Sequence, residues 1–214
     1  MGGSKVEFAI GGLADTVQRA GARYSMRQRT WLAWERIVWL GMEWRSEGKL
    51  DYGICKLLIK KHAGAPIVCA DGTRIERGDR VGELHLDNRV MLELAQSVGS
   101  DRAALKTARL ARAALRRIAE AMEDDPRLAG VKGLLGTTLL HRGLVHGLGF
   151  ECRAMSSRRL ERLTTVYLQL LLSFLHPDGR SRTRESKDKL VPMQLIHSRQ
   201  SLRQSMRIDK PAAM

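Results

Sequence analysis

The stretch Pro66 to Leu94, PIVCADGTRIERGDRVGELHLDNRVMLEL, constrains the fold more than any other, because turn chemistry and strand alternation coincide in it. Asp71-Gly72 and Arg77-Gly78-Asp79 are turn signals: glycine reaches positive φ without a Cβ clash, and aspartate hydrogen-bonds its own backbone. Ile67-Val68-Cys69 and Thr73-Arg74-Ile75 lie between and around them as short strand-like segments. From Arg80 to Leu86, Val81, Glu83 and His85 alternate with Gly82, Leu84 and Leu86, the period of a half-buried strand. Asp87-Asn88 ends that strand and is placed to cap a helix starting near Arg89. Two or three antiparallel strands are therefore expected over residues 66–86, and such a ribbon needs a second layer to bury its apolar face.

Amphipathic helices supply that layer. From Thr30, Trp31, Trp34, Ile37, Val38 and Met42 recur at helical spacing, which predicts a helix ended by Gly48 with this stripe in the core. Trp39 and Trp44 fall off the stripe, and an indole-rich basic helix also suits a membrane interface. Leu50 to Lys61 reads as one strand, with Cys55, Leu57 and Ile59 on one face and Lys56 and Lys60 on the other. A short helix follows over 89–98. Ser100 then caps a long one, Asp101 to Asp125, whose stripe is Leu105, Ala108, Ala111, Leu115, Ile118 and Met122, and which stops at Pro126. Leu134 to Phe150 has a helical apolar pattern broken by glycines, and residues 150–153 read as a short strand. Arg158 to Leu175 is a further period-3.6 helix behind Ser156-Ser157. A charged linker spans 180–190, Met193 to Ile196 reads as an edge strand, and Ser198 caps a last helix ending near Ile208. The expected fold class is α+β, a small antiparallel β-sheet covered by several amphipathic helices. Residues 1–29 read as a basic, loosely ordered arm with a short helix over Leu13 to Ala20, 30–208 as the domain, and 209–214 as a flexible tail.

With 43% hydrophobic residues the chain can bury a sizeable core, which excludes wholesale disorder. Lys and Arg number 37 against 23 Asp and Glu, a net charge of +14 that favours anionic partners without choosing among nucleic acid, lipid headgroups and acidic polymers. Cys55, Cys69 and Cys152 form no CxxC pair, so buried thiols in a reducing compartment are expected, not a disulfide framework or a zinc site. MGGSKVEF lacks the pattern of a signal peptide and, with Val6 at the sixth position, of a myristoylation site. No apolar run approaches the ~20 residues needed to span a bilayer. A cytoplasmic protein is expected, with peripheral contact to the inner membrane face as a variant of that reading.

Four runs carry a resemblance: ADGTRIERGDRVGELHLDN, LLGTTLLHRGLVHGLGFECR, RLERLTTVYLQLLLSFLHPDG and IHSRQSLRQSM. In this order they resemble the YkoP-like domain of bacteria over roughly residues 30–208. GDxVxELHLDN and LTTxYLxLLLxxxHPDG are its most specific motifs here, and TLLHRG is a shorter one. That domain occurs alone or behind polysaccharide deacetylase domains. The resemblance implies an uncharacterised module with no assigned activity. No deacetylase metal-binding motif occurs in this chain, so the resemblance implies no catalytic mechanism.

Two placements of chemistry follow from the residues. In the first, the end of the 80–86 strand forms a ligand or enzyme site. His85, Asp87 and His141 are the catalytic candidates, and Asn88, Arg142 and His176 are the ligand-binding ones. His85 shares a strand face with Glu83, which pairs an imidazole with a carboxylate, while Arg142 suits a phosphate or carboxylate. His176, before Pro177, stands where a helix dipole favours its charged form. The ordinary alternatives are a core histidine at 85, a turn and cap at 87–88, an ion-pair arginine at 142 and a C-cap at 176. In the second, Arg102, Lys106, Arg109, Arg112 and Arg116 climb the long helix as an anion-binding surface for a ligand, a membrane or a protein partner. The ordinary alternative is a solvated helix face. Nucleic-acid binding is the weaker variant, since no aromatic residues interleave the ladder. No GxSxG elbow is present, His-x-Asp lacks a third ligand, and neither metal nor cofactor is expected.

Overall fold

The computed structural model describes residues 26–98, 100–138, 147–155, 161–167 and 192–207. The chain enters through α1 (Met26–Trp44) and makes a hairpin of β1 (Gly48–Tyr52) and β2 (Cys55–Lys61). A small excursion, β3 (Ile67–Val68) and β4 (Arg74–Ile75), leads to β5 (Arg80–Leu86). Then come α2 (Asn88–Val98), α3 (Ser100–Asp124), a 3-10 turn (Pro126–Leu128), β6 (Gly133–Thr138), β7 (Glu151–Ala154), β8 (Met193–Ser198) and α4 (Arg199–Met206). Residues 161–167 are also helical.

Six strands form the main sheet in the order β1-β2-β5-β6-β8-β7, while β3 and β4 form a two-stranded sheet of their own. Every neighbouring pair of the main sheet is antiparallel except β5 and β6, which run parallel. The fold is thus α+β, as expected. Cross-strand partners project to the same side, so the register sorts the side chains by face. On one face lie Cys55, Leu57, Ile59, Leu134 and Leu195, buried with Ala111, Ala114, Leu115, Ile118 and Met122 of α3 and with Leu202 and Met206 of α4. On the other, Val81, Leu135 and Ile196 pack with Ile67, Cys69 and Ile75 of the excursion. The excursion is pinned by β7: Glu151 Oε1 accepts from the Ala70 N–H at 2.7 Å, and the Arg153 guanidinium donates to the Val68 carbonyl. Ser198 Oγ donates to Asp71 and accepts from the Ser201 N–H at 2.9 Å, so one hydroxyl both ties the excursion to β8 and caps α4.

Five expectations need correction. Leu50 to Lys61 is two strands: Gly53 takes φ of 81° and donates to Asp51 Oδ1 at 2.8 Å, an Asx turn that reverses the chain. Leu134 opens no helix, because Gly133–Thr138 is a central strand with β5 on one side and β8 on the other. β8 is an interior strand, paired with β6 and β7, and β7 takes the edge. In α1 the sheet-facing tryptophan is Trp39, whereas Trp34 and Ile37 are 52% and 55% exposed. The α3 stripe is buried from Ala111 onward, but Leu105 and Ala108 are exposed. The proposed helix at 13–20 and the 180–190 linker lie outside the described residues, as does most of 158–175.

His197 is the buried polar side chain of the helix-covered core. Its Nε2 donates to the Leu148 carbonyl at 3.3 Å, its Nδ1 accepts from Ser201 Oγ at 2.6 Å, and Phe150 packs edge-on at 4.9 Å. Burial holds this imidazole down to about 4, opposed by the Leu148 contact and by the charges of Glu151 and Asp71. The folded state therefore disfavours the proton. Stability is full above 6.5, the ordinary value, and falls as pH drops from 6.5 toward 4. The loss across that window is about 3 kcal/mol, measurable by urea denaturation at stepped pH, and His197→Gln is expected to flatten it.

Gly133 sits where β6 meets β8, and a Cβ there would lie 2.6 Å from the His197 carbonyl oxygen. Gly133→Ala must push two backbones apart and is expected to destabilise by roughly 1–3 kcal/mol. Gly41 of α1 has open space around it, so Gly41→Ala is expected to be neutral or to stabilise by about 0.5–1 kcal/mol through helix propensity. Chemical denaturation of the two variants side by side checks both.

Candidate functional site

On the face opposite the helix-covered core, β5 projects Val81, Glu83 and His85 beside Lys60, Leu58 and Lys56 of β2. Lys60 Nζ lies 2.5 Å from Glu83 Oε2, and Lys56 Nζ lies 2.6 Å from Asp87 Oδ2. Burial pushes the Glu83 carboxyl up, but the neighbouring imidazole and Lys60 outweigh it and bring the group down to about 2. Asp87 is also held below the usual carboxylate value. Burial opposes that, while Lys56 and the N–H groups of Arg89 and Val90 favour the charged form. Those same N–H groups, at 2.9 and 3.4 Å from Asp87 Oδ1, show Asp87 capping the start of α2. Asn88 belongs to the first turn of that helix and has interactions of its own.

Trp39 of α1 closes over this face. Its ring meets His85 edge-on at 5.2 Å and 89°, with Lys49 and Lys56 ammonium groups 5.5 and 5.7 Å from the indole. Trp39 Nε1 and His85 Nε2 are both buried without a hydrogen-bond partner. His85 Nε2 is 3.7 Å from Glu83 Oε2, close enough for charge attraction and too far for a hydrogen bond. The structure therefore brings His85, Glu83 and Asp87 together with two lysines. His141, Arg142 and His176 lie outside the described residues. Each carboxylate here already has a lysine, so the cluster has no surplus charge for an anion.

The ladder of Arg102, Lys106, Arg109, Arg112 and Arg116 lies on the exposed side of α3. Two of its rungs are engaged: Arg112 Nη1 donates to the Gly147 carbonyl at 2.8 Å, and Arg116 Nε to Glu120 Oε1 at 3.1 Å. A convex helix face offers charge without enclosure.

A second cationic surface, a broad and open one, lies elsewhere. An open groove of about 1250 Å³ runs beside α4, lined by Arg74, Lys132, Arg199, Arg203 and Arg207 with Glu123 as its one carboxylate. Arg199 and Arg203 are four residues apart and share one side of α4, while Arg207, which ends the helix in the left-handed region at φ of 53°, joins them in the groove lining. Gln200 and Gln204 stand beside them with side-chain amides. Among the flanking ion pairs, Arg199 Nε to Glu123 is long at 3.6 Å and Arg74 to Glu76 is exposed at 3.1 Å, whereas Lys132 to Asp79 is close at 2.8 Å. None of these cations was singled out from the sequence. The signal was present in RQSLRQSMR, an Arg-Gln pair repeating every four residues behind a serine cap.

Among the described residues no group of three His, Cys, Asp or Glu side chains is arranged to hold a metal ion, and no helix is long and apolar enough to cross a membrane. Burial pushes the Cys55 thiol up to about 12 and Cys69 up to about 11, which leaves both poor nucleophiles. Comparisons with curated proteins and with solved structures gave no match. The model of the YkoP domain matches residues 24–206, a span that takes in every described strand and helix. This chain belongs to the YkoP domain family.

Proposed function

We propose that the chain is a binding module for an anionic ligand, held in the groove beside α4. The observation that carries this reading is the gathering of Arg199, Arg203, Arg207, Arg74 and Lys132 in one groove lining, with Glu123 as the lining's one carboxylate. Like charges four residues apart on a helix destabilise it by about 0.2–0.5 kcal/mol per pair, a cost that a bound anion removes. Arginine offers forked donors that match phosphate or carboxylate, and the neighbouring glutamine amides add neutral donors. Among the described residues the lining contains no aromatic side chain on which a base could stack, so a compact multivalent anion fits better than single-stranded nucleic acid.

Inorganic pyrophosphate is the probe. It is expected to raise the melting temperature of the wild-type protein and to bind less tightly as salt is raised. The double variant Arg203→Gln/Arg207→Gln is expected to weaken binding by about tenfold or more, with each protein's ligand-free melting temperature as its own reference. Equal affinity of variant and wild type by calorimetry would sink the proposal.

A second reading, an enzyme acting through His85, Asn88, His141 and Arg142 on a small phosphate- or carboxylate-bearing substrate, is favoured by the unpartnered His85 Nε2 beside Glu83. It requires Trp39 to move aside so that substrate reaches the buried Nε2, the side chain as a whole being 27% exposed. Diethyl pyrocarbonate followed by peptide mass analysis tests this. Modification of His85 in the native protein, well ahead of the fully buried His197, supports the reading. Protection equal to that of His197 ends it.

A further inference from the structure

We propose that the outward face of α1 is a docking surface for an anionic lipid bilayer, separate from the groove. Met26, Thr30, Trp34, Ile37, Gly41 and Trp44 follow one another at spacings of three and four, which places them on one side of the helix. That side carries no charged residue, and it faces solvent: Met26 is 73% exposed, Trp34 52%, Ile37 55% and Trp44 95%. The opposite side is committed to the protein, with Trp39 against His85 and Glu43 bonded to Lys49 at 3.2 Å. A helix of this kind normally turns its indoles inward. Of the three described tryptophan side chains, the sheet takes one and leaves two in water, where large apolar side chains lose free energy.

The chemistry of the flanks selects the occupant. By helical spacing, Arg29 and Arg36 border the stripe on one side and Arg45 on the other, and Arg36 and Arg45 are exposed. A second copy seated on this stripe would bring rows of guanidinium groups together with no acid on the stripe between them. An anionic leaflet satisfies both features at once: indoles sit at the headgroup level with the ring in the apolar boundary and the N–H toward polar groups, while phosphates meet the arginines. The net charge of +14 adds long-range attraction to the same surface. The helix lies along the interface and does not insert across it, since it lacks the uninterrupted apolar length for a span.

All four tryptophans of the chain are in α1, so tryptophan emission reports on this helix alone. The full-length protein is mixed with vesicles of phosphatidylcholine, with or without phosphatidylglycerol, and followed by emission and co-sedimentation. Binding and a blue shift are expected with the mixed vesicles, both falling as salt rises, and little of either with phosphatidylcholine alone. Trp34→Ser/Trp44→Ser is expected to weaken vesicle binding by about tenfold or more, with circular dichroism and melting unchanged because both side chains are solvent-facing. Arg203→Gln/Arg207→Gln and added pyrophosphate are expected to leave vesicle binding intact, which separates this surface from the groove. Three results would overturn the proposal: no binding to phosphatidylglycerol vesicles, binding that survives loss of both tryptophans, or binding competed by pyrophosphate. Concentration-dependent dimerisation abolished by the same tryptophan substitutions would reassign the face to a second copy of the chain.

Discussion

Gly82 faces Leu134 and Glu83 faces Leu135 across the seam between β5 and β6, the single parallel pairing in an otherwise antiparallel sheet. A tight turn cannot join parallel neighbours, so the chain must leave β5 and come back to start β6 at the same end. α2, α3 and the 3-10 turn are that return path, and their passage over the sheet seals one face under Leu115, Ile118 and Met122. The seam itself is tight: a Cβ on Gly82 would stand 2.7 Å from Leu57 Cδ1 and 2.9 Å from Leu134 Cδ2. It is extended by the Lys132 N–H, which donates to the Arg80 carbonyl at 2.9 Å. The Arg80 guanidinium meanwhile reaches Glu47 and the carbonyls of Arg127 and Ala129, joining the entry of β1 to the end of the return path.

The same path sets where cations gather. α3 ends beside the start of β6, and α4 leaves the end of β8 at that corner, because β8 runs antiparallel to β6 and pairs Ser198 with Gly133. Lys132, Glu123 and the α4 arginines therefore meet as a consequence of strand order, although up to 84 residues separate them in sequence. The ladder along the rest of α3 has no such partner wall. A cationic helix face and a cationic groove have similar composition, and topology alone distinguishes them.

Elements governed by local chemistry were legible in the sequence. The alternation of Val81, Glu83 and His85 against Gly82, Leu84 and Leu86 gave the correct faces of β5, and Asp87 and Ser198 cap helices as their residue types suggest. The failures share one cause, which is that the partner of a segment decides its state. Gly133–Thr138 is buried on both sides between strands, so its run of apolar residues lacks a period of two and looks helical. In α1 the spacing showed a stripe of large side chains but not which side the sheet would take, and the sheet took Trp39. The turn at Gly53 was readable from Asp51-Tyr52-Gly53 and from the change of phase across it, with Leu50 and Tyr52 at even positions before and Cys55, Leu57 and Ile59 at odd positions after.

Charge matching separates the two polar clusters by role. On β5, the Asp87 side chain is only 13% exposed and meets Lys56 at 2.6 Å, and Glu83 meets Lys60 at 2.5 Å. Removing one partner from such a pair leaves a desolvated charge behind, so these ions serve the sheet and hold β2 against β5. In the groove, the Arg74–Glu76 pair is exposed on both sides, and the Arg199–Glu123 contact is long at 3.6 Å. Exposed pairs contribute about 0–1 kcal/mol, so an incoming anion can displace or share them at little cost. Surplus positive charge therefore gathers beside α4, where five cations share the lining with one carboxylate, and not on β5, where each carboxylate is matched by a lysine.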